Sequence, residues 1–86
     1  MDQGGWGSAL SHMAVRHRSL RALGLNLRRI REEKGLTQER LGERSDLDPT
    51  YISGIERGVR NPSLLSMVRI AKALRVTTPQ LCEGVD

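Results

Sequence analysis

The sequence predicts a compact all-α fold of five short helices. Apolar residues recur at spacings of three and four in successive segments from residue 20 onward, which is the period of a buried helix face. Capping residues and glycines separate these segments. No segment alternates between apolar and polar residues as a half-buried strand would. The 86 residues leave room for one small domain only.

Composition excludes several classes of protein. The chain has 14 Lys and Arg against 10 Asp and Glu, and a formal charge of +4 is compatible with nucleic acid without proving it. One cysteine and two histidines are too few for a disulfide framework or a structural metal site. No apolar run can span a bilayer, and the first residues lack the features of a secretory signal. We therefore expect a cytoplasmic protein with no metal, no cofactor, no membrane contact and no evident small-molecule ligand.

Residues 1–19 precede the periodic part of the chain, and we expect a flexible tail there. Glycines surround Trp6, and no helical period emerges. The run Ser-His-Met at 11–13 is typical of an expression remnant. The alternative is a basic arm at 16–18, Arg-His-Arg, that touches a DNA backbone.

Helix 1 is predicted over residues 20–34. Its apolar face comprises Leu20, Leu23, Leu27 and Ile30. Gly35 suits the left-handed position that ends a helix.

Helices 2 and 3 are predicted over residues 38–45 and 49–57. Thr37 is the expected N-cap of helix 2, and Leu41 its buried residue. Gly42 costs about 1 kcal/mol in the middle of a helix, so we expect another helix to cross closely there.

The start of helix 3 combines Asp48 as N-cap with Pro49 at the first position, and Gly58 ends it. Ile52 and Ile55 are predicted to face inward. A connection as short as the one between helices 2 and 3 fixes a steep angle, which is the geometry of a helix-turn-helix.

Helix 4 is predicted over 64–74, after Ser63 as N-cap. Its expected inner stripe is Leu64, Met67, Val68, Ala71 and Leu74. Thr78 and Pro79 repeat the signal of a cap followed by proline and open helix 5, over 79–84. Little chain is left to cover the apolar set of this last region, so we predict that it forms a homodimer contact. That set is Val76, Leu81, Cys82 and Val85.

Residues 36–58 read LTQERLGERSDLDPTYISGIERG and are followed by VRNPSLLSMVRIAKAL. This stretch resembles the lambda-repressor-like helix-turn-helix family of the xenobiotic-response-element type, over about residues 23–83. Within that family, LDPTYISGIERG is similar to controller proteins of restriction–modification systems. The resemblance implies a sequence-specific transcription regulator that binds a near-palindromic operator in double-stranded DNA as a homodimer, either autoregulatory or controlling a restriction–modification system.

The resemblance also implies roles for individual residues, with helix 3 in the major groove. Gln38 would contact a DNA phosphate. Thr50, Ser53 and Gly54 would face the bases. Four residues would hold the DNA backbone: Tyr51, Arg57, Arg60 and Asn61.

Plainer alternatives stay open for several of these residues. Gln38 can be an exposed residue at a helix start, and Tyr51 half-buried packing. Arg60 and Asn61 can merely shape the loop. Arg31 and Glu56 match a structural ion pair between helices 1 and 3 of the family, so we assign both to the scaffold.

Three departures from the family pattern affect the prediction. Asp46 stands where the turn usually has Gly, and tolerates a left-handed conformation better than most residues. Ser45 stands where a small apolar residue is expected, which would loosen the contact between helices 2 and 3. Pro49 stands where Arg is frequent, and residues 49–56 contain no Arg, Lys, Asn or Gln. We therefore expect few direct hydrogen bonds from helix 3 to base edges, and DNA shape should supply much of the specificity.

Two other function classes are alternatives to a DNA-binding regulator. Helix-turn-helix domains also serve as protein-interaction adaptors or antitoxin-type regulators, and the small net charge is compatible with both. An enzyme is disfavoured because no histidine follows residue 17 and no glycine-rich phosphate loop is present. The sequence thus predicts a non-enzyme without catalytic residues.

Overall fold

Five helices make up the part of the chain described by the computed structural model, which covers the backbone of residues 5–86 and side chains from residue 18 onward. They are α1 (Gly5–Glu33), α2 (Gln38–Ser45), α3 (Pro49–Glu56), α4 (Leu64–Leu74) and α5 (Thr78–Leu81). Over this range there is no strand, and the predicted all-α fold with α2 and α3 as a helix-turn-helix is confirmed. No helix in the described residues is both long enough and apolar enough to cross a membrane.

The predicted N-caps of α2, α3 and α4 are confirmed. The Thr37 hydroxyl accepts a hydrogen bond from the Arg40 backbone N–H at 3.0 Å. The Asp48 carboxylate accepts a hydrogen bond from the Thr50 backbone N–H at 2.7 Å, and the Ser63 hydroxyl accepts one from the Ser66 backbone N–H at 3.1 Å. Each cap satisfies a backbone donor that the first helical turn leaves free.

The start of α1 differs from the prediction, because the helix begins at Gly5 rather than near residue 20. Apolar periodicity marks only the packed part of a helix. Once that part is nucleated, adding further residues costs little free energy. Residues 1–4 lie outside the described residues, as do the side chains at 11–13 and at 16–17. The division into a flexible tail over 1–19 and a domain over 20–86 stays a prediction.

α5 also differs from its predicted bounds. Thr77, one residue earlier than expected, is the N-cap, and its hydroxyl accepts from the Gln80 backbone at 3.3 Å. The Gln80 side chain accepts from the Thr77 backbone N–H at 2.7 Å, which completes a capping box. The helix ends at Leu81, and Gly84 then turns the chain with φ at +74°.

The core lies among the five helices, with α1 packed on α3 and α5, and α2 packed on α3 and α4. Its buried apolar residues are Leu23, Leu27, Ile30, Leu41, Ile52, Ile55, Ile70, Ala71, Leu74 and Leu81. The prediction for α4 was wrong at Leu64, which is 69% exposed, and it missed Ile70, which is 1% exposed. Leu64 is the first residue of α4, and spacing alone did not reveal that the apolar stripe is exposed at this end.

The turn between α2 and α3 accommodates the unusual residues there. Asp46 has φ of +57°, as predicted for the usual glycine position. The buried Ser45 hydroxyl donates to the Leu41 carbonyl at 2.6 Å, so its polar atom is satisfied within α2. A methyl group on Gly42 would lie 2.6 Å from the Leu47 carbonyl oxygen. The close approach at Gly42 thus comes from the turn. The expectation that another helix crosses there was wrong.

Arg75 ends α4 in the left-handed region with φ of +60°, a conformation that costs most non-glycine residues about 1–2 kcal/mol. We expect Arg75→Gly to raise the free energy of unfolding by about 1 kcal/mol, measured by urea denaturation. Asp46→Gly should gain less, since Asp tolerates this region better. A loss of stability in Arg75→Gly would contradict this account.

Candidate nucleic-acid interface

All but one of the residues predicted to meet DNA line two neighbouring open grooves along α3. The first groove is lined by Gln38, Glu39, Pro49, Thr50 and Ser53. The second is lined by Asp48, Thr50, Tyr51, Gly54, Arg57, Val59 and Arg60. Thr50 lines both grooves and joins them into one surface. We call this the recognition surface, comprising Gln38, Thr50, Tyr51, Ser53, Arg57 and Arg60. Asn61 is exposed in the loop after α3 but lines neither groove.

A buried carboxylate lies directly behind this surface. Glu56, the last residue of α3, accepts hydrogen bonds from Arg31 Nε at 2.6 Å and Nη2 at 3.0 Å. The two side chains are only 3% and 10% exposed, respectively. This ion pair matches the scaffold role implied by the resemblance. Such bidentate geometry is among the stronger ion-pair arrangements in proteins.

Gln38 joins the same network. Its side-chain Nε2 donates to Glu56 Oε1 at 3.0 Å, and the residue is half-buried. Gln38 is therefore not simply an exposed residue at a helix start, which was the alternative left open. Sequence reasoning missed this bond, because Gln38 and Glu56 are 18 positions apart and no local pattern links them.

The Arg31 guanidinium stays charged in this network. The hydrogen bond that the Arg31 guanidinium donates to Glu56 raises the pKa of Arg31 above its usual value, and burial opposes this only in part. A raised pKa in the folded state stabilises the protein at all pH values below the ordinary guanidinium range, and the contribution would be lost only at still higher pH. The Arg31 guanidinium therefore keeps its positive charge throughout the physiological range.

Two arginines fold back over α3. Arg57 Nε donates to the Ser53 hydroxyl at 3.4 Å, and the Arg60 guanidinium lies 5.4 Å from the centre of the Tyr51 ring. The second distance is within the range of a cation–π interaction. Among the described side chains, neither arginine has a carboxylate within ion-pair distance. Both positive charges are thus available at the recognition surface.

Gly54, which was predicted to face outward, lines the second groove but is not exposed. It is buried, because the aliphatic stem of Arg60 crosses directly over its Cα. A methyl group at this position would overlap Arg60 Cγ. The space where a side chain at residue 54 would project is filled from the following loop, which spacing along α3 could not reveal.

Because of this packing, Gly54→Ala should weaken DNA binding without a matching loss of stability. Alanine should favour α3 by up to about 1 kcal/mol through helix propensity. It should also push the Arg60 stem away and break the stack on Tyr51. We expect weaker DNA binding with little or no loss of stability, checked by urea denaturation and by titration with duplex DNA. Unchanged affinity would mean that the Arg60 position is unimportant for binding.

The predicted dimer set is divided by the structure. Leu81 is 1% exposed and belongs to the core of its own chain, so the prediction that it lies in a dimer contact is corrected. Asn26 covers this region from α1 by donating through Nδ2 to the Leu81 and Glu83 carbonyls, both at 2.8 Å. Val76, Cys82 and Val85 are half-buried. Other large apolar side chains are exposed, namely Leu25, Val59, Leu64 and Leu65.

Comparison with known proteins identifies the family. A helix-turn-helix family model matches residues 27–81. An HTH-type transcriptional regulator of Sinorhizobium fredii is 42% identical over 64 residues, which are 74% of this chain and 83% of that protein. The control protein C.BamHI of Bacillus amyloliquefaciens is 46% identical over 61 residues, 70% of this chain and 75% of its own length.

A similar solved structure is the restriction-modification controller protein C.AhdI from Aeromonas hydrophila. It has a TM-score of 0.71 and 44% sequence identity, and the match covers 72% of this chain and 94% of that one. The family match, these relatives and the two-groove surface on α3 agree with one another. The chain therefore belongs to the helix-turn-helix family of DNA-binding transcriptional regulators.

Proposed function

We propose that this chain binds a near-palindromic operator in double-stranded DNA as a homodimer and acts as a controller of a restriction–modification system. The observation that carries the DNA-binding part is the recognition surface, where Thr50, Ser53, Arg57 and Arg60 line adjoining grooves along one helix. An accessible helix with flanking cations suits a duplex. The cations can contact phosphates, which position the protein, and the helix can reach base edges in the major groove, which supply specificity.

The controller role is supported by two of the relatives described above, which are named as a control protein and a restriction-modification controller. The proposal assigns no catalytic step and no cofactor, since the relatives named above are regulators or control proteins. Because the target is bacterial DNA, the protein would work in the cytoplasm.

Base reading by α3 itself would be limited. Thr50 is exposed and can offer its hydroxyl and methyl group, while the Ser53 hydroxyl is shared with Arg57. Neither gives the bidentate contact by which Arg reads guanine or Gln reads adenine. We therefore propose that sequence-dependent DNA shape supplies a large share of the specificity.

A second copy would double this limited readout. The half-buried Val76, Cys82 and Val85 near α5 are the apolar residues proposed for the contact. Two domains related by a two-fold axis would meet half-sites about 34 Å apart on one face of the duplex.

Selection of bound duplexes from a random pool tests the proposal. We expect enrichment of inverted repeats, with two chains bound per repeat. The centres of the two half-sites within a repeat should lie about 10 base pairs apart, or a multiple of this. The matched control is the Arg57→Ala/Arg60→Ala double variant, which should enrich nothing under the same conditions. Failure of the wild-type chain to enrich any duplex at low salt would overturn the DNA-binding role and favour the adaptor function. Single half-sites bound by one chain would overturn the dimer.

A further inference from the structure

The first two backbone N–H groups of α2 belong to Gln38 and Glu39, and within the described residues neither has an acceptor. The next two are occupied, since Arg40 donates to the Thr37 hydroxyl and Leu41 donates to the Thr37 carbonyl. Free N–H groups at a helix start attract an anion. Gln38 is itself the first residue of α2, so the orientation of its side-chain amide decides whether the site offers a further donor.

Glu56 fixes that orientation. A buried carboxylate paired with arginine can only accept hydrogen bonds, so the amide nitrogen of Gln38, not its oxygen, must face Glu56 Oε1 at 3.0 Å. One of the two amide N–H bonds is used there. The second has no acceptor among the described residues. Without Glu56, the amide could rotate and present its carbonyl oxygen, which would repel a phosphate.

Arg31 completes the arrangement in two ways. Its positive charge, held against the carboxylate at 2.6 Å, offsets the negative charge that Glu56 would otherwise place behind a phosphate site. Its Nη1 also donates to the Leu36 carbonyl at 2.7 Å, which holds the loop just before α2. The network therefore joins the end of α1, the start of α2 and the end of α3.

We infer that Glu56 is a positioning residue for DNA binding, which orients the Gln38 amide so that its second N–H meets a backbone phosphate at the start of α2. This inference rests on the proposed function, because it requires a duplex at the recognition surface. It assigns Glu56 a role beyond the scaffold. It also means that the distance from the phosphate contact to α3 is set by a hydrogen bond to the last residue of that helix.

A double-mutant cycle between Gln38→Ala and Glu56→Gln tests the inference. All four proteins carry Arg75→Gly as a stabilising background, and urea denaturation confirms that each is folded at the temperature used. The probe is a duplex selected by the wild-type chain, and the readout is its dissociation constant at one salt concentration. Arg40→Ala is the matched control, since Arg40 is exposed on α2 and, among the described side chains, forms an ion pair only with Glu43, at 3.2 Å.

We expect Gln38→Ala to weaken binding by about tenfold when Glu56 is present, as for loss of a hydrogen bond to a charged group. In the Glu56→Gln background, the same substitution should weaken binding less than about threefold, because the amide is no longer held. Arg40→Ala should show the same loss in both backgrounds. An equal loss for Gln38→Ala in both backgrounds would overturn the inference, whereas absence of duplex binding by the wild-type chain would overturn the proposed function instead.

A second measurement needs no Glu56 variant and applies if that variant fails to fold. In the wild-type chain, NMR can follow the two side-chain amide protons of Gln38 separately. We expect one proton to be protected from solvent exchange in the free protein, and the other to become protected when the selected duplex is added. Loss of the first protection on binding, or no change in the second, would overturn the inference.

Discussion

Arg31→Met is expected to lower the free energy of unfolding by about 3–5 kcal/mol, because it leaves the Glu56 carboxylate buried without its cation. Glu56 is 3% exposed, and its remaining partner would be the neutral amide of Gln38. A buried charge that has lost its partner retains the full cost of leaving water. The measurement is urea denaturation monitored by circular dichroism. The dependence of the free energy of unfolding on urea concentration should be unchanged, so that a shift in the midpoint reports a change in stability.

The Arg31→Met/Glu56→Met double variant separates lost attraction from stranded charge. Since no charge is then left behind, most of the stability should return, and replacement of a buried ion pair by apolar residues of similar volume is often close to neutral. If the double variant is at least as unstable as Arg31→Met alone, the explanation by stranded charge is wrong. The fold would then depend on the hydrogen bonds themselves.

Gly24→Ala should produce the other large effect. Gly24 lies where α1 crosses the end of α3, and a methyl group there would overlap the carbonyl oxygens of Ile55 and Glu56. These are backbone atoms, so α3 itself would have to move. We expect a loss of about 2–3 kcal/mol in the free energy of unfolding, and weaker DNA binding because α3 is displaced.

The sign of the Gly24→Ala effect is decisive. Helix propensity alone would make alanine more stable than glycine by about 1 kcal/mol at this position within α1. The matched control is Leu25→Ala on the same helix, where the side chain is 60% exposed and the expected change is within about 0.5 kcal/mol. A stabilised Gly24→Ala protein would show that α1 and α3 do not cross as closely as described.

The features predicted from sequence are those with local causes. A cap, a left-handed turn and a packed helix face each depend on a few neighbouring residues, and so Thr37, Asp48, Ser63 and Asp46 were predicted correctly. The ion pair of Arg31 and Glu56 was reached only through a resemblance to a family. The helix-turn-helix itself follows from the short connection between two well-marked helices.

The features that sequence missed depend on distances in space. Gly54 was assigned to the exposed face of α3, but a residue six positions later covers it. Leu81 was expected to need a second chain, although it is buried within its own chain, where Asn26 of α1 donates to its carbonyl. Gln38 bonds to a residue on another helix. Periodicity describes which face of a helix is apolar, but it does not specify what lies against that face.

The salt dependence of duplex binding tests the central claim most directly, namely that the recognition surface meets a DNA backbone. The logarithm of the association constant should fall linearly with the logarithm of salt concentration, because the protein's basic side chains neutralise phosphates and so release counterions from DNA. Arg57→Ala and Arg60→Ala should each reduce the magnitude of this slope by about 1. Arg28→Ala, which removes an exposed residue of α1 paired with Glu32 at 3.2 Å, should leave the slope unchanged. Binding that ignores salt, or slopes that are the same in all three variants, would contradict the account.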